Sequence, residues 1–456
     1  MVPAFDEAAD CIDTLTQNLS FERTSKSLLI ILVLNAPADA TDAAITRTQA
    51  GLPDSASIAP EEAQPGIQIL RVDAVTEPLP ADHATGLARK IGNDIACQLI
   101  ARGHITTPVL CNTDADAILP ADYFSRISRA HAESNGPHTR SVARRATDTA
   151  AWVLPFEHVS DDLKQQQAGT AYELYLRSLQ LNLQRCGSPY AYPALGSLLA
   201  INPVYYAKSR GFPKRRAGED FYLLNKLAKL AGITYLTGVP VRLAARLSSR
   251  VPFGTGPAIA KMLQEKQTDK EQKPALPCDR QETYALASFA LLRQFYAGIS
   301  ELQATEQTPD KAPPSKEPLN QERAARKLPK AWQDPDLLWL LKHLGVPGAL
   351  VRLKKNYRTD SSLHRAVHEW FDALKTVRFL NEARHFHDDE PLMSQIEHLR
   401  TFLPQGYSSG DYANAAPEPT PEERWQRVCT INRDLELNRS ITRHSVIRSG
   451  DDSPTN

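Results

Sequence analysis

Two aspartates one residue apart, Asp114 and Asp116, close the stretch Pro108-Val109-Leu110-Cys111-Asn112-Thr113-Asp114-Ala115-Asp116-Ala117. A short apolar run that ends in carboxylates suits the carboxyl edge of an α/β sheet, where such sheets bind ligands. On a strand the side-chain period is two, so Asp114 and Asp116 are expected on one face. Paired there, they can hold a hard divalent cation, which takes one or two carboxylates, water and phosphate oxygens. The spacing predicts a metal–diphosphate site at a sheet edge. The plain alternative is a turn in which both side chains bond the local backbone.

A second pair, Glu219-Asp220, follows Gly218 at a predicted helix start, after the basic turn Pro213-Lys214-Arg215-Arg216. Carboxylates there are held by free N–H groups and by the helix dipole. Either they only cap the helix, or one of them takes a proton from an attacking hydroxyl. A third feature runs from Arg246 through Arg250 to Gly254 and Gly256. A glycine-rich turn with Arg250 can cradle phosphate, or it is only the loop that leaves the domain. No Gly-Lys-Ser/Thr follows, so it is not a P-loop. His364 and His368 stand one helical turn apart, but Glu369 follows the second histidine and the metalloprotease pattern fails. Trp332, Trp339, Trp370 and Phe371 fall in amphipathic stretches and are expected in a core.

The elements that must position these residues alternate between strand and helix. Lys26–Asn35 is an apolar run without alternation, as in a strand buried on both faces. Almost nothing precedes Pro3 of the strand expected there, and a helix is expected from Asp6 to Leu19. Further strands are expected at Ile67–Asp73, 108–117, Leu198–Ile201 and Thr234–Leu236. Helices are expected near Asp42–Thr48 and over Ala84–Arg102, Pro120–Asn135, Leu163–Cys186, Tyr205–Arg210 and Glu219–Ala231. Ser141–Arg145 and Ala151–Val153 read as short strands or loop. Such alternation implies an α/β sheet sandwiched by helices. Beyond it, helical periodicity recurs over Cys278–Gln303, Asp336–Leu344, Pro347–Tyr357, Ser361–His385, Met393–Phe402 and Pro421–Glu436. The predicted organisation is an α/β domain over 1–263, a linker over 264–277, and a helical domain over 278–411 with a flexible segment at about 304–331. A linker, a short helix and a disordered tail fill 412–456.

A length of 456 residues exceeds what one core serves, which points to two domains. Lys+Arg 53 against Asp+Glu 53 gives no global attraction to nucleic acid or to an anionic membrane. Six scattered cysteines without Cys-x-x-Cys favour free thiols in a reducing compartment. The amino terminus lacks the basic and apolar regions of a signal peptide, and no stretch approaches the ~20 apolar residues of a membrane span. The expected location is cytoplasmic.

In order, Val2-Pro3-Ala4-Phe5-Asp6-Glu7, Leu87-Ala88-Arg89-Lys90-Ile91-Gly92, Thr113–Asp116, Gly196-Ser197 and Gly218-Glu219-Asp220 resemble glycosyltransferase family 2 with its GT-A fold. That fold is a Rossmann-like, mostly parallel sheet flanked by helices, and the resemblance covers about residues 1–260. It implies a UDP- or GDP-sugar donor, a divalent cation (Mn²⁺ or Mg²⁺) and an inverting transfer to an acceptor hydroxyl. By motif position it places Pro3, Ala4 and Glu7 at the nucleobase–ribose end, with Arg89 and Lys90 near the nucleotide. Asn35 keeps an amide where the family often has an acid. Asp114 would face the ribose or sugar and sit beside Asp116 at the metal; Asp220 would be the catalytic base, with Glu219 next to it. Arg250 is a candidate phosphate clamp on charge and the adjacent glycines alone. Processive synthases carry Gln-x-x-Arg-Trp; here Arg424-Trp425 has Pro421 where the glutamine belongs. Two other classes stay open: a non-catalytic interaction protein on the same fold, and a nucleotidyltransferase that would release pyrophosphate.

Overall fold

The computed structural model describes residues 1–7, 15, 28–50, 67–134, 148–248, 254–263, 276–304, 328–400 and 420–438. The chain divides into two compact units. One comprises Met1–Leu174, Tyr192–Cys278 and Ser409–Asn456; the other comprises Tyr175–Ala191 and Asp279–Ser408.

The first unit is an α/β structure. Strand β1 (Val2–Ala4) pairs parallel with β2 (Leu28–Pro37), with Pro3 opposite Val33 and Ala4 opposite Leu34. Helix α1 (Asp42–Ala50) leads towards β3 (Ile67–Leu79), which is parallel to β2. Ile30 to Leu34 are all buried, so β2 is covered on both faces, as its unbroken apolar run demands. Helix α2 (Ala84–Ala101) packs on β1 and β2. The approach needs Gly92, because a Cβ there would strike Met1 and Val33. Strand β4 (Leu110–Asn112) lies beside β1: the Met1 amino group donates to the Cys111 carbonyl at 2.7 Å, and Thr113 N donates to the Met1 carbonyl at 3.3 Å.

Helix α3 (Tyr123–Ser134), β5 (Thr149–Val153), β6 (Phe156–Val159) and α4 (Leu163–Arg185) follow. A 3₁₀ turn at Gly196–Leu198 enters β7 (Leu199–Ile201). Short helix α5 (Pro203–Lys208) and α6 (Glu219–Ala228) precede β8 (Gly232–Tyr235) and β9 (Val241–Ala244). Strand β7 is antiparallel to both β4 and β5, β5 is parallel to β8, and β6 is parallel to β9. Helix α7 (Thr255–Leu263) buries Ile259 against Ala168 and Ala245.

The second unit is helical. Helix α8 (Pro277–Arg280) enters it, and β10 (Glu282–Thr283) pairs antiparallel with β11 (Glu390–Pro391). Helices α9 (Leu286–Ser300), α10 (Pro335–His343), α11 (Val346–Asn356), α12 (Asp360–Trp370), α13 (Ala373–Ala383) and α14 (Leu392–Arg400) make up the rest. Their core is aromatic: Phe295 stacks on Trp332 at 5.4 Å and meets Phe371 at 4.1 Å. Gly298 leaves the room Trp332 occupies, and the indole N–H donates to the Phe295 carbonyl at 2.9 Å. Trp332 and Phe371 are core, as expected, whereas Trp339 is 41% exposed and stacks on His343. Helix α15 (Pro421–Asn438) returns to the first unit, where Asn432 donates to the Glu173 carboxylate at 2.6 Å.

Several expectations are corrected. The strand over 108–117 is only Leu110–Asn112, because the chain turns at Ala115-Asp116 with Ala117 N bonded to the Asp114 carbonyl. The helix over 361–385 is two, because the Asp372 side chain accepts from Lys375 N and starts a new helix after Phe371. Strand β6 was not expected. In β6, His158 breaks the apolar pattern yet is buried, since Glu173 accepts from its backbone N–H and meets its ring at 3.2 Å. Most of the Asp6–Leu19 helix, Ser141–Arg145 and most of the segment at 304–331 lie outside the described residues.

A buried amide pair locks α2 to β4. Asn93 Nδ2 donates to Asn112 Oδ1 at 2.7 Å, and Asn112 Nδ2 donates back at 3.3 Å. Removing one partner leaves the other's buried polar atoms unsatisfied. Asn112→Ala is expected to destabilise the first unit by about 1–3 kcal/mol. Thermal and urea unfolding of the variant, followed by far-UV circular dichroism, check this; an unchanged midpoint contradicts it.

Candidate active site

The site is built around Arg89, in the second turn of α2, whose side chain is 3% exposed. Its Nε donates to Glu219 Oε1 at 2.9 Å, and its Nη2 donates to Asp114 Oδ1. The other Asp114 oxygen accepts from the Ser197 hydroxyl. Gly196 makes this possible: a Cβ there would lie 2.5 Å from Arg89 Nη2. Gly218, at φ 71°, turns the chain from the basic loop into α6 and so delivers Glu219 to the guanidinium. Gly86 N bonds the Arg215 carbonyl at 2.9 Å, which presses that loop onto α2.

A second guanidinium stands nearby. Arg246 Nε is 2.8 Å from Asp116 Oδ2, and its Nη2 is 3.1 and 3.2 Å from the two Glu7 oxygens. Arg246 follows the end of β9, Glu7 the end of β1, and Asp114 the end of β4. The cluster therefore gathers at carboxyl ends of strands, the ligand-binding edge of α/β sheets.

Five carboxylates (Glu7, Asp114, Asp116, Glu219, Asp220) share two guanidiniums, and three of them, Asp116, Glu219 and Asp220, are raised, chiefly by burial. Burial, then the neighbouring Glu219, pushes Asp220 up to about 7, against a 2.7 Å hydrogen bond from Phe221 N and the pull of Arg89. Burial, then Asp114, pushes Asp116 up to about 6, against Arg246. Glu219 is raised by burial, against Arg89. Burial would lower the Arg89 pKa, but Asp114, Glu219 and Asp220 outweigh it and raise it. Burial and then the charge of Asp220 raise the Tyr172 hydroxyl to about 12.

The structure brings together Glu7, Arg89, Asp114, Asp116, Glu219 and Asp220 from four separated segments. Asp114 and Asp116 do not share a face, as the strand period would require. They sit in a turn past β4, so one meets Arg89 and the other Arg246. Lys90 turns away: its Nζ is 2.8 Å from Asp94 and 3.4 Å from the Arg210 carbonyl. Pro3 and Ala4 lie on β1, and Ala4 is buried. Asn35, near the end of β2, is 4% exposed, and its Oδ1 has no hydrogen-bond partner among the described residues. Arg250 lies outside the described residues. Sequence reasoning assigned no role to Arg246, Ser197 or Tyr172. Arg246 had a usable signal, since it stands at the head of the segment in which Arg250 was chosen. His364 Nε2 contacts the Leu302 carbonyl at 2.6 Å, and His368 stacks on Tyr296.

Among the described residues no three His, Cys, Asp or Glu side chains form a ready metal cage. The donor chemistry still suits one hard cation. Asp114 has both oxygens engaged, but only Asp116 Oδ2 meets Arg246, and the surplus of carboxylates favours added positive charge. An ion bound through Asp116 would complete its shell with water and ligand phosphate.

No protein-family pattern matches the chain, and no curated protein matches it. Solved structures that resemble it include TarS of S. aureus in complex with UDP-GlcNAc, at 11% identity over 81% of this chain and 89% of that one, with a TM-score of 0.33. Mannosyltransferase PcManGT of Pyrobaculum calidifontis, in complex with GDP-Man and Mn²⁺, aligns at 12% identity over 98% of this chain and 86% of that one, with a TM-score of 0.31. A second S. aureus TarS structure aligns at 9% identity over 81% and 89%, with a TM-score of 0.30. Likenesses this weak carry no argument about which residues act here.

Arg89→Met keeps the bulk and removes the charge, leaving Asp114 and buried Glu219 without their counter-ion. It is expected to cost about 3–5 kcal/mol, read as a lowered unfolding midpoint. The pH dependence has a definite sign. Asp220 and Asp116 bind protons more tightly folded than unfolded, so their contribution is present below about 4 and is lost as pH rises through about 6 to 7. Wild-type stability should therefore fall over that window, and Asp220→Asn should flatten the fall. Melting curves from pH 4 to pH 8 would refute this if both proteins show the same slope.

Proposed function

We propose that the first unit is a GT-A glycosyltransferase domain that moves a sugar from a nucleoside-diphosphate donor to an acceptor hydroxyl with inversion. The observation that carries the reading is convergence: Glu7, Arg89, Asp114, Asp116, Glu219 and Asp220, picked out by spacing and motif order, form one charged cluster at strand ends. The motif order of family 2 supports the same reading.

Asp220 is the general base. A carboxylate raised to about 7 by burial and by Glu219 is matched to taking a proton from a hydroxyl near neutral pH. As the acceptor oxygen bonds to the anomeric carbon from the face opposite the leaving group, its proton passes to the Asp220 carboxylate. The bond from that carbon to the diphosphate oxygen breaks, and its electron pair leaves with the nucleoside diphosphate. Glu219 keeps the local field negative and fixes Arg89, which in turn orients Asp114 towards the donor sugar. Arg246 can exchange Glu7 and Asp116 for a diphosphate, the bidentate role its guanidinium suits. A divalent cation bound through Asp116 supplies further neutralisation of the leaving group. A cytoplasmic setting suits the free cysteines Cys97, Cys111, Cys186, Cys278 and Cys429.

Calorimetric titration of UDP and GDP, with and without Mn²⁺, tests the donor site. Wild type and Asp220→Asn should bind one of them in a metal-dependent way, and Asp116→Ala should not. With a donor in hand, Asp220→Asn should lower turnover by about 10²–10⁴-fold, and wild-type kcat/KM should rise with pH through about 7. Binding indifferent to Asp116, or turnover indifferent to Asp220, sinks the assignment. Release of pyrophosphate in place of a nucleoside diphosphate would point to a nucleotidyltransferase.

A further inference from the structure

The zero formal charge of the chain hides an uneven local distribution. Between Pro203 and Lys229 stand seven Lys or Arg against two carboxylates, and those two, Glu219 and Asp220, belong to the Arg89 cluster. Three of them, Arg210, Arg215 and Lys226, lie near one another and near Lys90. Lys226 is held below its usual range by partial burial and then by Lys90, Arg210 and Arg215. Lys90 Nζ reaches the Arg210 carbonyl, and the Arg215 guanidinium lies 3.8 Å from the centre of the Tyr222 ring, one turn before Lys226. Arg210, Lys214, Arg215 and Lys226 are exposed. The carboxylates nearby are already engaged: Asp94 by Lys90, Asp39 by Arg216, and Asp148 by the Tyr205 hydroxyl.

Two aliphatic side chains stand bare one turn from Lys208 and Lys226. Val204 is 57% exposed and precedes Lys208 by one turn on α5. Leu230 is 41% exposed and follows Lys226 by one turn at the end of α6. The two segments are tied through Asp148, whose carboxylate accepts from Tyr205 at 2.7 Å and whose carbonyl accepts from Gly232 N at 3.0 Å. A soluble polyanion would use the cations and leave Val204 and Leu230 in water. An anionic bilayer surface uses both, with charge drawn to the headgroups and the aliphatic tips entering the interface.

We propose that this face of the first unit, formed by Arg210, Lys214, Arg215 and Lys226 with Val204 and Leu230, docks onto an anionic lipid surface. The attachment is peripheral, since no helix among the described residues is long and apolar enough to cross a membrane. It stands apart from the transfer reading and is tested without it.

Flotation of the full chain with vesicles is the test. The protein should float with mixed phosphatidylcholine–phosphatidylglycerol vesicles and not with phosphatidylcholine alone, and added salt should release it. Lys214→Glu with Lys226→Glu should weaken partitioning by at least about tenfold. Val204→Ser with Leu230→Ser should weaken it severalfold. Circular dichroism establishes that each variant is folded; if a pair is not, Lys226→Gln and Leu230→Ser singly take their place in the same assay. Failure to float with the mixed vesicles, or equal flotation by the charge-reversed variant, overturns the proposal. So does loss of binding only on charge reversal, with Val204→Ser/Leu230→Ser unchanged and inorganic tripolyphosphate competing fully. That pattern marks a site for soluble polyanions.

Discussion

A buried guanidinium is expensive to desolvate, and Arg89 is tolerated only because Asp114 and Glu219, 25 and 130 positions further along the chain, both reach it. That requirement organises the neighbourhood. Helix α2 must sit close enough to β1 and β2 for Gly92 to be needed. The Asn93–Asn112 pair then fixes β4, from whose end Asp114 departs. Gly86 against the 213–215 backbone sets the height at which α6 begins, and hence where Glu219 and Asp220 stand. An ion pair of this kind adds little to stability over a well-packed apolar substitute, but it allows few alternative arrangements of the carboxylates.

The two arginines differ in kind. Arg89 is enclosed and bonded on two sides, so it holds geometry. The Arg246 side chain is 40% exposed, so it can trade partners at modest cost. A site with one fixed and one exchangeable cation keeps its carboxylates in place while a charged ligand comes and goes. Burial first, and then the neighbouring carboxylates, raise Asp220 to about 7 and Asp116 to about 6.

Much of this was legible in the residues. The unbroken apolar run of β2 and the alternation of strand and helix announced an α/β unit, and the recurring helical periodicity beyond it announced the helices of the second unit. Glu7, Asp114, Asp116, Glu219 and Asp220 were each visible as acids at predicted element ends. Their partners were less so. A strand of three residues carries no periodicity, so the point where β4 stops, and with it the direction of each aspartate, is decided by tertiary pairing with β7. Arg246 was passed over for Arg250 because a glycine-rich turn is a local signal, whereas the contact of Arg246 with Glu7 spans 239 positions of sequence. Lys90 looked like a site residue by its place beside Arg89, but adjacent helix positions face about 100° apart, and Asp94 one turn on captures it. His158 and Trp339 show the same limit from both sides, a polar residue buried by its partner and an aromatic left at the surface.

Gly196 has one further consequence. The residue has no charge, touches no ligand by any chemistry of its own, and would pass unnoticed in a list of acids and bases. Yet the guanidinium rests on the space its missing side chain leaves. Any larger residue at this position would push Arg89 off Asp114 and Glu219 together and take from the two carboxylates the partner they share. A relative with alanine or serine here could retain every acidic residue of the cluster and still lose its arrangement, so the smallest side chain in the cluster is the one that tells whether the charges can assemble.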